Sequence, residues 1–78
     1  MDITKLRTLI HVAELGSLSK AADRMRIAQP ALSRHIRLLE DELGTRLFDR
    51  HGRGMVITDT GKDVLARAIR IVAELNDI

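Results

Sequence analysis

Cysteine, tryptophan and tyrosine are absent from the 78-residue chain, and Phe48 is its sole aromatic residue. Without thiols no disulfide can staple the fold and no thiolate can bind a metal. With one aromatic ring, stacking of single-stranded bases on the protein surface is disfavoured. No apolar run approaches the ~20 residues that a membrane span needs. The start, Met1-Asp2-Ile3-Thr4, lacks the basic and apolar regions of a signal peptide. A cytoplasmic protein with no membrane partner is therefore expected. His11, His35 and His51 are scattered without metal-ligand spacing. No nucleophile–base pair or phosphate-binding glycine motif accompanies them, so the sequence predicts no enzyme, no metal and no cofactor.

What is present is one small domain's worth of chain. Hydrophobic residues make up 45% of it, enough for an aliphatic core. The net charge of +2 does not imply nucleic acid, but its arrangement is informative. Lys20, Arg24, Arg26, Arg34 and Arg37 cluster with only Asp23 to offset them. Glu40, Asp41 and Glu42 follow as a block, and Arg46, Arg50, His51 and Arg53 restore a basic stretch. Charge alone fits an ordinary solvated surface as well as a polyanion site.

Hydrophobic periodicity predicts four helices and a hairpin. The first helix runs from about Ile3 to Leu15, with Asp2 as N-cap and Gly16 just past its end. Ile3, Leu6, Ile10 and Ala13 share one face, widened by Leu9 and Val12. A short second helix spans about Lys20 to Arg26, with Ser19 as its cap and Ala21, Ala22 and Met25 inward. Ile27 and Ala28 fill a brief turn. Pro30 opens a third helix that ends at about Leu43, with Gly44 following. Leu47 to Arg50 and Met55 to Thr58 read as short strands around the glycine-rich loop His51-Gly52-Arg53-Gly54. Thr58 then caps a fourth helix that runs to the end. Two helices joined by a very short turn and followed by a hairpin describe a mainly α fold, the winged helix-turn-helix: a three-helix core, a β-hairpin wing and a C-terminal linker helix.

The third helix has two faces. Leu32, Ile36, Leu39 and Leu43 form a stripe expected to be buried. Gln29, Ser33 and Arg37 recur at intervals of four on the other side, beside Pro30 and Arg34. Gln can pair with adenine through its amide, Arg can place two donors on guanine O6 and N7, and Ser can bond a base or a phosphate. Pro30 offers an apolar surface to a thymine methyl. Gln29, Pro30, Ser33 and Arg34 lie near the helix start, from which base edges are reached, and are the expected base readers. Arg53, at the hairpin tip, suits either a narrow minor groove or a plain exposed turn. Arg37, Arg50 and His51 are expected at phosphates, as are Ser17, Ser19 and Lys20 at the start of the second helix.

In the fourth helix Val64, Ala68, Ile71, Leu75 and Ile78 repeat at spacings of four and three, a heptad seam. Leu65, Ile69 and Val72 flank it. Val64 and Leu65 are expected on the domain. Ala68, Ile71, Val72, Leu75 and Ile78 are expected to pair with a second copy, the alternative being that the helix folds back on its own body. If pairing holds, cutting after Thr58 should leave a monomer with much weaker DNA binding.

The run LSKAADRMRIAQPALSRHIRLLEDELGTRLFDR, Leu18 to Arg50, resembles the helix-turn-helix of LysR-type transcriptional regulators. Leu15-Gly16-Ser17 before it and Ile57-Thr58-Asp59-Thr60-Gly61 after it extend the resemblance over essentially the whole chain. The resemblance implies a sequence-specific, duplex-DNA-binding domain over residues 1–58, with the helix-turn-helix at about 18–37 and the wing at about 47–58, and a linker and dimerisation helix at 59–78. It also implies that Gln29, Pro30, Ser33, Arg34 and Arg53 touch DNA in a nucleoid-associated homodimer, with a tetramer open to the full-length protein. Family members continue into an effector-binding domain, so this chain is expected to be the amino-terminal part of a longer regulator. Any small-molecule effector would act through that absent domain. Four positions depart from the family pattern. Ala28 stands where Ser or Thr often caps the recognition helix, at a cost of roughly 1 kcal/mol. Thr8 and Leu9 replace aromatics of the first helix, which predicts lighter packing. Leu38 is apolar where relatives are often polar. The competing function is a protein-interaction module, against which the donor-rich face of the third helix argues, since interface centres favour aromatic anchors.

Overall fold

A computed structural model describes residues 1–51 and 54–78, with residue 51 described by its backbone alone. The elements follow in the order α1 (Ile3–Leu15), α2 (Leu18–Met25), α3 (Gln29–Leu43), β1 (Phe48–His51), β2 (Gly54–Ile57) and α4 (Asp59–Asn76). This is the expected winged helix-turn-helix. Among the described residues no helix is long and apolar enough to cross a membrane.

Both ends of α1 are set by local chemistry. Asp2 Oδ1 accepts a hydrogen bond from the Lys5 backbone N–H at 2.9 Å. Gly16 ends the helix at φ 62°, with its N–H on the Val12 carbonyl at 2.8 Å. The Lys5 ammonium also donates to Asp2 Oδ2 at 2.7 Å. Chiefly through that bond, and then through the Lys5 backbone N–H, the Asp2 carboxyl is lowered from its ordinary 3.8 to about 2. It therefore stays anionic at the helix end that favours negative charge.

α2 begins two residues before the expected Lys20. Ser17, not Ser19, is its N-cap, and Ser17 Oγ accepts from the Lys20 N–H at 3.2 Å. The deciding residue is Leu18. A helix that starts there places Leu18, Ala21 and Ala22 on one buried face at spacings of three and four. Its other end is tighter than expected. The Arg26 N–H bonds the Asp23 carbonyl at 3.3 Å and the Ile27 N–H bonds the Ala22 carbonyl at 3.1 Å. That paired closure requires a left-handed residue, and Arg26 supplies it at φ 56°, at a cost of about 1 kcal/mol relative to glycine. The reversal leads into α3 within three residues and leaves Arg26 exposed.

α3 starts at Gln29 with no side-chain cap from Ala28 and with Pro30 in its first turn. Leu32, Ile36 and Leu39 are buried, but Leu43 is 37% exposed. It stands in the last turn, where the chain turns off at Gly44 toward the hairpin, beyond the packed stripe. Thr8, expected only to lighten the packing of α1, is fully buried. Its Oγ1 lies 3.1 Å from the Thr4 carbonyl oxygen and 2.9 Å from His35 Nδ1. The hydroxyl has one proton and the carbonyl can only accept, so both bonds are made when Nδ1 of His35 carries hydrogen. A polar pin thus joins α1 to α3.

The strands pair antiparallel with Phe48 opposite Ile57 and Arg50 opposite Met55. Relative to expectation, β1 starts one residue later and β2 one residue earlier. The Met55 N–H donates to the Gly16 carbonyl at 3.2 Å, which fastens the hairpin to the corner between α1 and α2. At the base of the hairpin the half-buried Glu40 accepts from the Leu47 N–H at 2.8 Å and the Phe48 N–H at 3.3 Å. The Leu47 carbonyl accepts from the Thr58 N–H at 2.9 Å. Thr58 Oγ1 donates to the Arg46 carbonyl at 2.7 Å and accepts from the Gly61 N–H at 2.9 Å, capping α4. Gly61 is pressed against the Leu47 carbonyl oxygen, and a Cβ there would also lie 2.7 Å from Ile57 Cγ1.

α4 packs along α1. Val64 and Leu65 lie against the core as expected, and Val72, expected to pair with a second copy, packs against it too. Ala68, expected on the pairing seam, is 1% exposed and belongs to the core of its own domain. A helix lying on a small body turns its central stripe inward, and Gly61, Val64, Leu65, Ala68 and Val72 make that stripe. Part of α4 thus completes the core of residues 1–58, and a cut after Thr58 would expose the core residues it covers.

Two stability outcomes follow from the hairpin base. Gly61→Ala forces a methyl into backbone that cannot retreat and should cost about 1–3 kcal/mol in urea unfolding. Unchanged stability would show that α4 can shift off Leu47. Glu40→Ala strands two backbone donors and should cost about 1–3 kcal/mol. Glu40→Gln keeps an acceptor and should recover part of it, whereas equal losses in both variants would assign the effect to charge.

Candidate nucleic-acid interface

The surface of α3 that faces away from Leu32, Ile36 and Leu39 begins with Gln29 and Pro30, both exposed. Arg34 and Arg37 are exposed on the same helix and Ser33 is half-buried. The start of α2 lies at the other arm of the motif. There Ser17 is half-buried and committed to its capping bond, while Ser19 and Lys20 are exposed, with the two serine hydroxyls 3.2 Å apart. Arg50 projects from β1 and its Nη2 donates to Ser33 Oγ at 3.0 Å, so the wing and the recognition helix touch side chain to side chain. The Arg53 expectation lies outside the described residues, and so does the side chain of His51.

The electrostatics separate cations with partners from cations without. Arg24, counted in the basic cluster of the sequence, donates to Glu14 at 2.6 Å and lies 3.3 Å from His11 Nδ1. Arg46 lies 3.8 Å from the Glu40 carboxylate. Among the described residues Lys20, Arg26, Arg34, Arg37 and Arg50 form no ion pair. The acidic block of α3 sits at the opposite end of the helix. Asp41 lies about 10 Å along the axis from Arg34 at helical rise, beyond the screening length of ~8 Å at physiological salt. Arg34 is thus clear of the acidic block, whereas Arg37 stands one helical turn from Asp41, and Asp23 shares α2 with Lys20. Arg26 joins this set although its charge alone did not mark it as a site residue. The signal was its place at the helix reversal, which the sequence reading put inside the helix. Among the described residues no group of three or more metal-ligating side chains occurs.

This geometry has close counterparts. The family model for bacterial regulatory helix-turn-helix proteins of the lysR family matches residues 3–62. A helix-turn-helix transcriptional regulator from the ibpB–leuC intergenic region of Azotobacter vinelandii is 47% identical over 99% of the chain and 54% of its own length. The regulator XapR of Escherichia coli is 40% identical over 99% of the chain and 26% of its own length. The chain thus spans about half of the first of these relatives and about a quarter of the second. Among solved structures, the BenM DNA-binding domain in complex with catB site 1 DNA superposes with a TM-score of 0.94 at 39% identity, over 99% of this chain and 86% of that one. The CbnR DNA-binding domain in its DNA complex gives a TM-score of 0.95 at 35% identity, over 99% of this chain and 88% of that one. The chain belongs to the lysR family of bacterial regulatory helix-turn-helix proteins and is a DNA-binding domain of that family, not an enzyme.

Proposed function

We propose that α3 enters the major groove of duplex DNA with Gln29, Pro30, Ser33 and Arg34 on base edges. Lys20, Ser19, Arg37 and Arg50 hold the phosphates, Ser17 orders the α2 end, and His51 and Arg53 extend the contact along the wing toward the minor groove. The observation that carries this reading is the exposed, donor-rich start of α3 beside cations that form no ion pair among the described residues. The solved BenM and CbnR domains, bound to DNA, support it by likeness.

The reading includes a homodimer through the outer part of α4. With Ala68 and Val72 turned inward, the pairing surface narrows to Ile71, Leu75 and Ile78, which are 49%, 44% and 104% exposed. Two copies would present recognition helices to half-sites about one DNA turn, or ~34 Å, apart or a multiple of it. The full-length protein would be a cytoplasmic regulator, open to tetramer formation, whose small-molecule effector binds a separate domain. The greater length of the relatives supports that part.

Arg34→Ala should cost roughly 1–3 kcal/mol on the preferred duplex and relax preference at one base pair, read by fluorescence anisotropy with single-position duplex variants. A uniform loss on every duplex would move Arg34 to the phosphates. Lys20→Ala should weaken all duplexes alike and reduce the slope of log affinity against log salt by about 1. Leu75→Glu should convert the chain to a monomer in sedimentation equilibrium with little loss of stability, since it removes no core side chain. A persistent dimer would place the pairing surface elsewhere.

A further inference from the structure

We infer that Arg50 sets the hydrogen-bonding polarity of Ser33, so that Ser33 reads DNA preferentially as a donor. The inference rests on the groove reading proposed above and deepens it. Arg50 lies on β1 and Ser33 on α3, 17 residues apart in sequence, and Nη2 of Arg50 donates to Ser33 Oγ at 3.0 Å. A guanidinium has donors and no acceptor, and a serine hydroxyl has a single proton and two lone pairs. The contact therefore runs in one direction. It occupies a lone pair of Ser33 and leaves the hydroxyl proton to be given away. Among the described residues Ser33 makes no other side-chain hydrogen bond, so the proton has no recipient among them.

In a major groove the recipients are guanine O6 and N7, adenine N7 and thymine O4, or a phosphate oxygen. The amino groups of cytosine and adenine are donors. An unrestrained serine could accept from them, and for that reason serine alone is an ambiguous reader. With one lone pair held by Arg50 and the oxygen polarised by a cation, donation is strengthened and acceptance weakened. Arg50 keeps its remaining N–H groups for a phosphate, so one residue can serve as backbone contact and as positioning residue for a base reader. The arrangement makes the wing part of base readout without the wing touching that base.

The test uses the 78-residue chain and a preferred duplex selected by it from a random-sequence pool. Affinities for that duplex, and for variants at each base pair, are measured for the parent, Ser33→Ala, Arg50→Ala, Arg50→Lys and the double variant Ser33→Ala/Arg50→Ala. Circular dichroism and urea unfolding check that each is folded. One base pair should lose its preference for an acceptor in both single alanine variants, by roughly tenfold. The double variant should lose no more at that pair than Ser33→Ala alone, a non-additive result. Arg50→Lys retains the charge and so the salt slope, yet lacks the forked donor and should lose the same preference. Arg50→Ala that weakens every duplex equally and adds to Ser33→Ala would overturn the coupling while leaving groove reading intact. Ser33→Ala that changes no base preference would remove Ser33 as a reader and the inference with it. Loss of sequence preference in the parent itself would be the failure of the groove reading, recognisable before any variant is made.

Discussion

The backbone of Leu47 holds three elements at once. Its N–H is taken by the Glu40 carboxylate of α3, and its carbonyl accepts the Thr58 N–H at the head of α4. Its side chain is fully buried in the core, and Gly61 closes against it with no space for a methyl group. Peptide groups buried without partners cost free energy, so the hairpin can leave α3 only in the geometry that satisfies them. That geometry carries Arg50 back over the recognition helix to Ser33. The placement of the wing, of α4 and of the Arg50 guanidinium all derive from this one knot.

At the opposite end of α3 the constraint is backbone closure. The left-handed Arg26 shortens the reversal between α2 and α3, and the buried alanines of α2 allow the two helices to cross closely. A glycine would relieve the strain but would place no charge there. With arginine, the residue that turns the chain also adds to the exposed surface a cation that forms no ion pair among the described residues. Four of the eleven acids are used elsewhere: Asp2 caps α1, Glu14 holds Arg24, Glu40 holds the hairpin and Glu42 takes the N-terminal ammonium. The low net charge of the chain thus coexists with a locally basic face.

Where local chemistry decides, the sequence was legible. α1 and the start of α4 follow from Asp2, Gly16 and Thr58, because caps act within a few residues. α2 was misplaced because Ser17 and Ser19 are equivalent caps on paper, and only burial of Leu18 chooses between them. The roles of Glu40 and Thr8 were hidden for a different reason. Each depends on a partner brought near by the fold, Leu47 for one and His35 for the other. Leu43 and Ala68 failed in opposite directions. A stripe of apolar residues gives the direction of a helix face but not where the covering body ends, so Leu43 was expected inside and Ala68 outside. The exposure of Gln29, Pro30, Arg34 and Arg37 was legible because the tight turn before α3 and the hairpin after it mark α3 as the second helix of a helix-turn-helix.

The inward turn of Ala68 alters how a dimer of this domain would work. A linker helix joined by a flexible hinge would let each recognition unit search for its half-site independently. Here Gly61, Val64, Leu65, Ala68 and Val72 dock the same helix whose outer residues Ile71, Leu75 and Ile78 are free to pair. In the proposed dimer the pairing angle is therefore transmitted through a packed core, which resists deformation, to α3 of each copy. Half-site separation would then be fixed by rigid packing and not by linker length. The protein would discriminate between operators by spacing as well as by base sequence.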